Sequence, residues 1–159
     1  MAVVSAGALV LDLLRFRLSW LNRQFMRRLA PLLKGEEDRR ITGATYMVVA
    51  ALFAFLLFGD EVAVPVLLFL SLGDPTAAVV GRRAPRPRIR GKSPFGTAAF
   101  ITVGLLVVAV LAGTGAVDYH RGLLVGAVIA GLVELASLPP DDNFTIPLTA
   151  GAAMYLLGV

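Results

Sequence analysis

The chain has 159 residues, of which 57% are hydrophobic and only 16% are charged, with a formal net charge of +4. Soluble domains carry about a quarter charged residues, so this composition excludes an ordinary soluble domain and predicts a polytopic membrane protein. There is no cysteine and a single histidine, His120. This excludes disulfide bonds, cysteine-ligated metal centres, multi-histidine metal sites and histidine-activated nucleophiles.

Six apolar segments follow one another along the chain. They cover residues 2–14, 43–58, 62–80, 95–113, 121–138 and 144–158. Several approach the roughly 20 residues that a membrane-spanning helix needs, although the first is short for a span. We therefore predict an all-α, polytopic integral membrane protein with five to six membrane helices, folded as one membrane-embedded domain over residues 1–159.

A basic segment separates the first two apolar segments. Phe16, Trp20, Leu21, Phe25 and Leu29 recur there at helical spacing, with arginines between them. This pattern is typical of an amphipathic helix in the membrane interface, and we predict one within residues 15–29. The alternative is a solvated, positively charged loop.

Fourteen of the fifteen lysines and arginines fall in residues 15–40 and 82–92. Because positive charge is enriched in cytoplasmic loops, we expect both segments to be cytoplasmic and residues 59–61 and 114–120 to lie outside. The acidic loop at residues 139–143 is then cytoplasmic too. A basic loop, an acidic loop and the inner end of the third apolar segment thus meet at one face.

Asp74 interrupts the third apolar segment. A carboxylate at membrane depth costs at least a few kcal/mol, so it marks a functional site unless it has a structural partner. The sequence Gly73-Asp74-Pro75 predicts a break in the helix, with Asp74 as the cap of the second half and Pro75 in its first turn. Asp74 is then either a metal or substrate ligand or only a structural cap.

The basic loop after Asp74 has the chemistry of a phosphate site. Ser93-Pro94 is predicted to cap the next helix, whose N-terminus offers free N–H groups, and Lys92 directly precedes it. Arg82 and Arg83 add cations, although each arginine taken singly is also explained by the positive-inside rule. Gly91-Lys92-Ser93 is not the end of a Walker A loop, because Arg86 stands where that motif needs glycine.

Further carboxylates lie near the end of the chain. Gly122, Gly126, Ala130 and Glu134 share one helix face, and such a seam of small residues directs the carboxylate toward protein rather than lipid; the alternative is a glutamate that snorkels to the interface. The pair Asp141-Asp142 is either a solvated turn or, with Asp142-Asn143 as a cap, the ordered start of the last helix. Acidic groups that bind a divalent cation, next to a cationic loop, are what phosphoryl or nucleotidyl transfer requires.

Three stretches of the chain resemble motifs of the CTP-dependent lipid kinase family. This family includes dolichol kinase, phytol kinase and CTP-dependent diacylglycerol kinase, and its small prokaryotic members are often labelled as related to phosphatidate cytidylyltransferase. The stretches are Asp-x-x-Ala-x-x-x-Gly-Arg-Arg at residues 74–83, Lys-Ser-x-x-Gly at residues 92–96, and Glu134 followed by Asp-Asp-Asn-x-x-Ile-Pro at residues 141–147. In the second stretch, Phe95 stands where the family has glutamate. The N-terminal helices of longer members, with their basic and histidine-containing motif, are not recognised.

The resemblance implies an enzyme that uses CTP and Mg²⁺ to phosphorylate a long-chain lipid alcohol, with no nucleic-acid partner. It implies that Asp74 and Asp142 hold the metal with help from Glu134, and that Asp141 or Glu134 deprotonates the lipid hydroxyl. The residues implied in nucleotide and phosphate binding are Arg82, Arg83, Lys92, Ser93 and Asn143. Two alternatives stay open: a cytidylyltransferase that makes a CDP-lipid, and a non-catalytic scaffold or transporter subunit. The oligomeric state is open as well, with a homodimer as one option.

Overall fold

The computed structural model describes residues 2–18, 20, 22–24, 41–85 and 87–159. Within these residues the fold is all-helical, as predicted, apart from an isolated pair of bridging residues in one turn. The helices are α1 (Ala2–Arg17), α2 (Gly43–Phe58), α3 (Asp60–Arg83), α4 (Pro94–Thr114), α5 (Arg121–Ala136) and α6 (Asp142–Leu156).

Two of these helices, α3 and α4, are long and apolar enough to cross a membrane, with 24 and 21 residues. Helix α2 is apolar but has 16 residues, and α5 and α6 have 16 and 15. The predicted five to six membrane helices are therefore not confirmed at that number. The apolar segments were counted correctly, but several of the helices they form are shorter than a full bilayer crossing requires.

Helix α3 is the central element of the bundle, since it packs against α2, α4, α5 and α6. Its side chains Val62, Val66 and Phe69 are fully buried, and they join Phe100 of α4 and Met154 of α6 in one apolar core. Helix α1 lies at the edge of the bundle and packs against α2.

Glycines bring α3 and α4 close together at the end where the basic loop joins them. A Cβ atom on Gly96 would lie 2.7 Å from the carbonyl oxygen of Ala77, and one on Gly73 would lie 2.9 Å from the ring of Phe100. At these two positions the backbone of one helix directly contacts the other helix. This contact fixes the ends of the loop that carries Lys92.

The predicted break at Asp74 is wrong, because α3 is continuous from Asp60 to Arg83 with Pro75 inside it. Proline removes one intrahelical hydrogen bond but does not force the helix to end. The buried residues Gly73 and Ala77 on either side pack on α4, which holds both halves of α3 in line. Asp74 is therefore a mid-helix residue and not a cap.

Helix α1 ends beside a buried ion pair that the sequence reading missed. Arg15 donates to Asp12 at 2.6 Å, and both side chains are almost fully buried. Asp12 also accepts the backbone N–H of Thr42 at 2.9 Å, and Thr42 is the N-cap of α2. Arg15, which we assigned to an interfacial helix, thus belongs to α1. Trp20 and residues 22–24 are helical, and the rest of that predicted segment lies outside the described residues.

Replacing Gly96 with alanine should destabilise the protein by about 1–3 kcal/mol, because the added methyl group would force α3 and α4 apart. The matched control is Gly113→Ala in the same helix, where a Cβ atom meets nothing within 4 Å. That change should be neutral or stabilising by at most about 1 kcal/mol. Reversible unfolding in mixed micelles measures both, and equal stabilities of the two variants would contradict the close packing.

Candidate active site

The ammonium group of Lys92 lies among three carboxylates. Its Nζ atom is 2.8 Å from Oδ2 of Asp142, 2.9 Å from Oε1 of Glu134 and 3.7 Å from Oδ1 of Asp74. The carboxylates come from α6, α5 and α3, so three helices meet at this group. The three acidic residues that the resemblance implies at one site thus lie around one ammonium group, and we call these four residues the Lys92 cluster.

A tight turn positions Lys92. Ile89 and Lys92 exchange two backbone hydrogen bonds of 2.8 and 2.9 Å, and the residues between them, Arg90 and Gly91, both have positive φ angles of 49° and 84°. Positive φ at both central residues is the signature of a type I′ turn, which favours glycine. The direction of the Lys92 side chain is therefore set by the turn and by the start of α4 two residues later.

Two arginines of this loop bind the C-terminal ends of neighbouring helices. Arg88 donates to the carbonyl oxygen of Gly81 in α3 at 2.8 Å, and Arg90 donates to that of Ala136 in α5 at 3.0 Å. Carbonyl groups in the last turn of a helix lack intrahelical partners and favour cations. These two arginines, which the sequence explained only as topology signals, thus fasten the loop to both helices.

Glu134 is held inside the protein and does not snorkel. Its side chain is 4% exposed, its Oε1 atom accepts from Lys92, and its Oε2 atom accepts from the hydroxyl of Thr97 at 3.1 Å. The seam of small residues packs as predicted: Gly126 and Ala130 are buried, and Gly126 faces Met154 of α6. Thr97 was missed by the sequence reading, although it lies one helical turn after Ser93 on the same face.

The acidic loop is ordered, but its residues divide the work differently from the prediction. Asp141, not Asp142, is the N-cap of α6, and its Oδ1 atom accepts from the backbone N–H of Asn143 at 2.9 Å and from the Asn143 amide at 2.7 Å. The predicted cap by Asp142 is therefore wrong. Because Asp141 and Asn143 serve the cap, Asp142 can turn toward Lys92.

The charges of the Lys92 cluster do not balance. Burial alone would lower the pKa of Lys92, but its bonds to Asp142 and Glu134 outweigh burial, so the pKa is raised and the ammonium stays protonated. The pKa of Asp142 is also raised, first by burial and then by the negative charges of Asp74 and Asp141, despite the opposing effect of Lys92. One cation thus faces three carboxylates, and a further cation would bring the charge of the cluster closer to neutral.

A cavity of about 320 Å³ opens beside the cluster. Asp74, Arg82, Arg88, Lys92, Ser93 and Glu134 are among the residues that line it. Ser93 occupies the N-cap position of α4 as predicted, yet its hydroxyl makes no capping hydrogen bond. This hydroxyl is buried and has no partner among the described residues, so it is available to a ligand in the cavity.

Arg83 is not part of this cavity. It lines a separate groove with Val79, Val80 and Phe95. At about 100° per residue, Arg83 lies about 180° around the helix from Asp74, whereas Arg82 lies only about 80° away, on the side of the cavity. The structure therefore separates the two adjacent arginines that the sequence placed in one phosphate site. Phe95, which stands in place of the family's glutamate, lies on the same groove as Arg83.

Among the described residues, no group of three or more acidic or histidine side chains forms a metal site. The Lys92 ammonium is instead the group that the three carboxylates share. Nevertheless, the Oδ1 atom of Asp142 is buried without a hydrogen-bond partner. Carboxylate oxygens are the ligands that Mg²⁺ prefers, so this unsatisfied oxygen and the excess negative charge fit a divalent cation.

Two curated proteins are similar to this chain over most of its length. CTP-dependent diacylglycerol kinase 1 of Saccharomyces cerevisiae is 28% identical over 169 residues, which cover 91% of this chain and 58% of that protein. CTP-dependent diacylglycerol kinase 1 of Schizosaccharomyces pombe is 26% identical over 161 residues, which cover 92% of this chain and 74% of that protein. The chain thus spans less than two thirds of the first relative.

No family model matches the chain. No solved structure matches it either. The two similarities support the resemblance to the CTP-dependent lipid kinases that the three motifs indicated.

Replacing Thr97 with valine should destabilise the protein by about 1–3 kcal/mol, because it leaves an oxygen of the buried Glu134 without its donor. Thr102→Val is the matched control: Thr102 lies in the same helix, also donates to the carbonyl oxygen four residues earlier, and is exposed. Its replacement should change the free energy of unfolding by no more than about 0.5 kcal/mol. Unfolding in mixed micelles compares the two, and a Thr97→Val protein as stable as Thr102→Val would argue against the bond to Glu134.

Proposed function

We propose that this chain, as a relative of the CTP-dependent lipid kinases, transfers the γ-phosphate of CTP to the hydroxyl group of a membrane lipid alcohol such as diacylglycerol. The observation that carries the proposal is the Lys92 cluster beside a cavity lined by arginine and by the start of a helix. Acidic residues for a metal and cationic groups for phosphates are the parts that phosphoryl transfer uses. The names of the relatives supply the nucleotide and the lipid.

The cavity is the site we assign to the phosphates of the donor. Arg82 and Lys92 contribute positive charge, and the unpartnered hydroxyl of Ser93 can donate to a phosphate oxygen. The N-terminus of α4 adds free backbone N–H groups and the positive end of the helix dipole. Arg88 also lines the cavity, but its guanidinium already donates to Gly81, so we assign it to the loop rather than to the substrate.

Asp142 and Asp74 are the residues that we expect to hold Mg²⁺, with Glu134 as a further oxygen ligand. A bound Mg²⁺ would neutralise charge on the phosphate oxygens during transfer. Glu134 and Asp141 were also the predicted bases, but both oxygens of Glu134 accept hydrogen bonds and Asp141 caps α6. Asp74 is a third exposed, and its one contact with a charged group in the described part of the chain is the long one to Lys92, so it is the carboxylate best placed to orient the lipid hydroxyl.

In the reaction that we propose, the lipid oxygen attacks the γ-phosphorus while Asp74 accepts the hydroxyl proton. The bond from the γ-phosphorus to the bridging oxygen breaks, and CDP leaves. Arg82 and Lys92 stabilise the negative charge on the departing phosphates. Because the transition state of phosphoryl transfer is loose, positioning of the two substrates contributes more than the strength of the base.

We place the site at the cytoplasmic face of the cell membrane, because the positive-inside rule puts the basic loop on that side and the contact of Lys92 with Asp142 puts the acidic loop beside it. The chain has no cysteine, so single cysteines report sidedness. In cells, a membrane-impermeant thiol reagent should label Asp118→Cys and should leave Pro87→Cys unlabelled until the membrane is opened. Both positions are exposed in the folded chain. Labelling of position 87 from outside would reverse the proposed orientation.

With diacylglycerol, phosphatidate and Mg²⁺ present, the purified chain should transfer label to lipid from CTP carrying ³²P in the γ-phosphate, and none from CTP labelled in the base. A kinase transfers only the terminal phosphoryl group, whereas a cytidylyltransferase acting on phosphatidate would give the opposite labelling. Base label in the lipid would therefore replace our proposal with the alternative enzyme. Absence of any label from four nucleotides and a panel of lipid alcohols would favour the non-catalytic alternative.

Asp74→Asn should lower the turnover number for lipid phosphorylation at least about 100-fold, on the order of 3 kcal/mol, because an amide is a poor metal ligand and a poor base. Since Asp74 is not a helix cap, the fold should persist. Asp60→Asn, the same change at the exposed far end of the same helix, is the matched control and should retain activity. Near-normal turnover of a folded Asp74→Asn protein would remove Asp74 from the site.

A further inference from the structure

Lys92 lines the cavity that we assign to the phosphates, but its ammonium group points to the three carboxylates of the Lys92 cluster. Its ammonium contacts oxygens of Asp142 and Glu134 at 2.8 and 2.9 Å, which are ordinary distances for a charged hydrogen bond. A residue assigned to phosphate binding thus has its charge fully engaged by carboxylates. The arrangement differs from the one that a bound nucleotide would require of the same side chain.

The arrangement also leaves two buried polar atoms unsatisfied. These are Oδ1 of Asp142 and the hydroxyl oxygen of Ser93, the only such side-chain atoms found in the part of the chain that the structure describes. Buried polar atoms without partners are rare in native proteins and call for an explanation such as an ion or a ligand. A divalent cation on Asp142 and a phosphate at Ser93 would satisfy one atom each.

Lys92 and a divalent cation compete for the same oxygens. A Mg²⁺ ion sits about 2.1 Å from its carboxylate ligands, so an ion held by Asp142 and Glu134 would take the space in which Nζ now lies. A divalent cation and the Lys92 ammonium bound to the same carboxylates would also repel each other strongly, because the site is partly buried. The Lys92 side chain has four rotatable bonds and borders the cavity, so a change of rotamer can move its ammonium group into the cavity.

We propose that Lys92 is the resident counter-ion of the cluster formed with Asp74, Glu134 and Asp142, and that a divalent cation displaces its ammonium into the adjoining cavity, where it binds the phosphates of the donor. The proposal rests on the function proposed above. It predicts that metal and nucleotide bind cooperatively, because each completes the site that the other requires. Metal alone binds weakly, since it must separate Lys92 from its carboxylates without an anion to receive it.

The direct test measures the affinity of the chain for Mn²⁺ in lipid nanodiscs, without nucleotide or lipid substrate. Electron paramagnetic resonance detects the bound ion. Lys92→Met keeps the length of the stem and removes the competing charge, so its affinity for Mn²⁺ should rise at least about tenfold over the unmodified protein. Lys92→Arg keeps a cation in place and should not show this gain. Arg121→Met, an equal change in net charge at an exposed position at the start of α5, is the matched control and should behave like the unmodified protein.

A second measurement uses the unmodified chain and does not depend on the folding of a variant. Lys92 and Lys34 are its only lysines, so acetylation followed by mass spectrometry reports each of them. Mn²⁺ should raise the acetylation rate of Lys92 relative to Lys34, because displacement releases the ammonium from its ion pairs. Nucleotide added with Mn²⁺ should then protect Lys92 again.

The inference is overturned if folded Lys92→Met binds Mn²⁺ no more tightly than the unmodified chain, or if Mn²⁺ leaves the relative acetylation of Lys92 unchanged. Neither readout uses phosphate transfer. If the unmodified chain phosphorylates lipid but Lys92→Met has the same Mn²⁺ affinity, the proposed function stands and the displacement of Lys92 is rejected. Gain of Mn²⁺ affinity without any lipid phosphorylation would do the reverse.

Discussion

The attraction between one ammonium group and three carboxylates is the interaction that brings the ends of α3, α5 and α6 together. Asp74, Glu134 and Asp142 belong to three different helices, and each would be costly to bury alone. Lys92 makes their proximity tolerable, and it can do so because the short loop before α4 delivers it to that point. The apolar core holds the helices together along their length, whereas the Lys92 cluster determines how their ends meet.

The Lys92 cluster is supported by side chains that bind backbone groups at the ends of the helices. Arg88 and Arg90 donate to carbonyl groups at the ends of α3 and α5, and Asp141 accepts the backbone N–H of Asn143 at the start of α6. Groups at helix ends lack the full set of intrahelical partners; the carbonyl oxygen of Gly81, for example, otherwise accepts only the backbone N–H of the C-cap residue Ala84, at 3.3 Å, among the described residues. Helix ends that would otherwise need water are therefore used to align the acidic residues, and the ends gain partners through the same bonds.

The chemical content of the site was predictable from the sequence, since a carboxylate in an apolar context has few innocent explanations. Asp74 and Glu134 were singled out on that ground, Lys92 from its place in a basic loop before a helix, and Asp142 from the acidic loop and the resemblance. The helical fold and the order of its apolar segments were predictable as well. The resemblance to known motifs then indicated which chemistry the charged residues serve.

The predictions that were wrong concern local features whose outcome depends on residues distant in the sequence. Whether Pro75 ends a helix depends on how firmly α4 supports both halves of α3. Whether Asp141 or Asp142 caps α6 depends on which of them finds a competing cation. The separation of Arg82 from Arg83 follows from helix geometry and would have been available from the phase of Asp74, but only if α3 was known to be continuous.

The loop between α3 and α4 is pinned at two points, through Arg88 to Gly81 and through Arg90 to Ala136. Between these anchors and the start of α4, the type I′ turn leaves no spare residue, because Lys92 pairs with Ile89 and the next residue, Ser93, is already the N-cap of α4. A change in the number of residues is therefore best tolerated in the part of the loop before Arg88. Across related chains, we expect the spacing from Arg88 to Ser93 to be constant in length even where the residues between α3 and Arg88 vary in number.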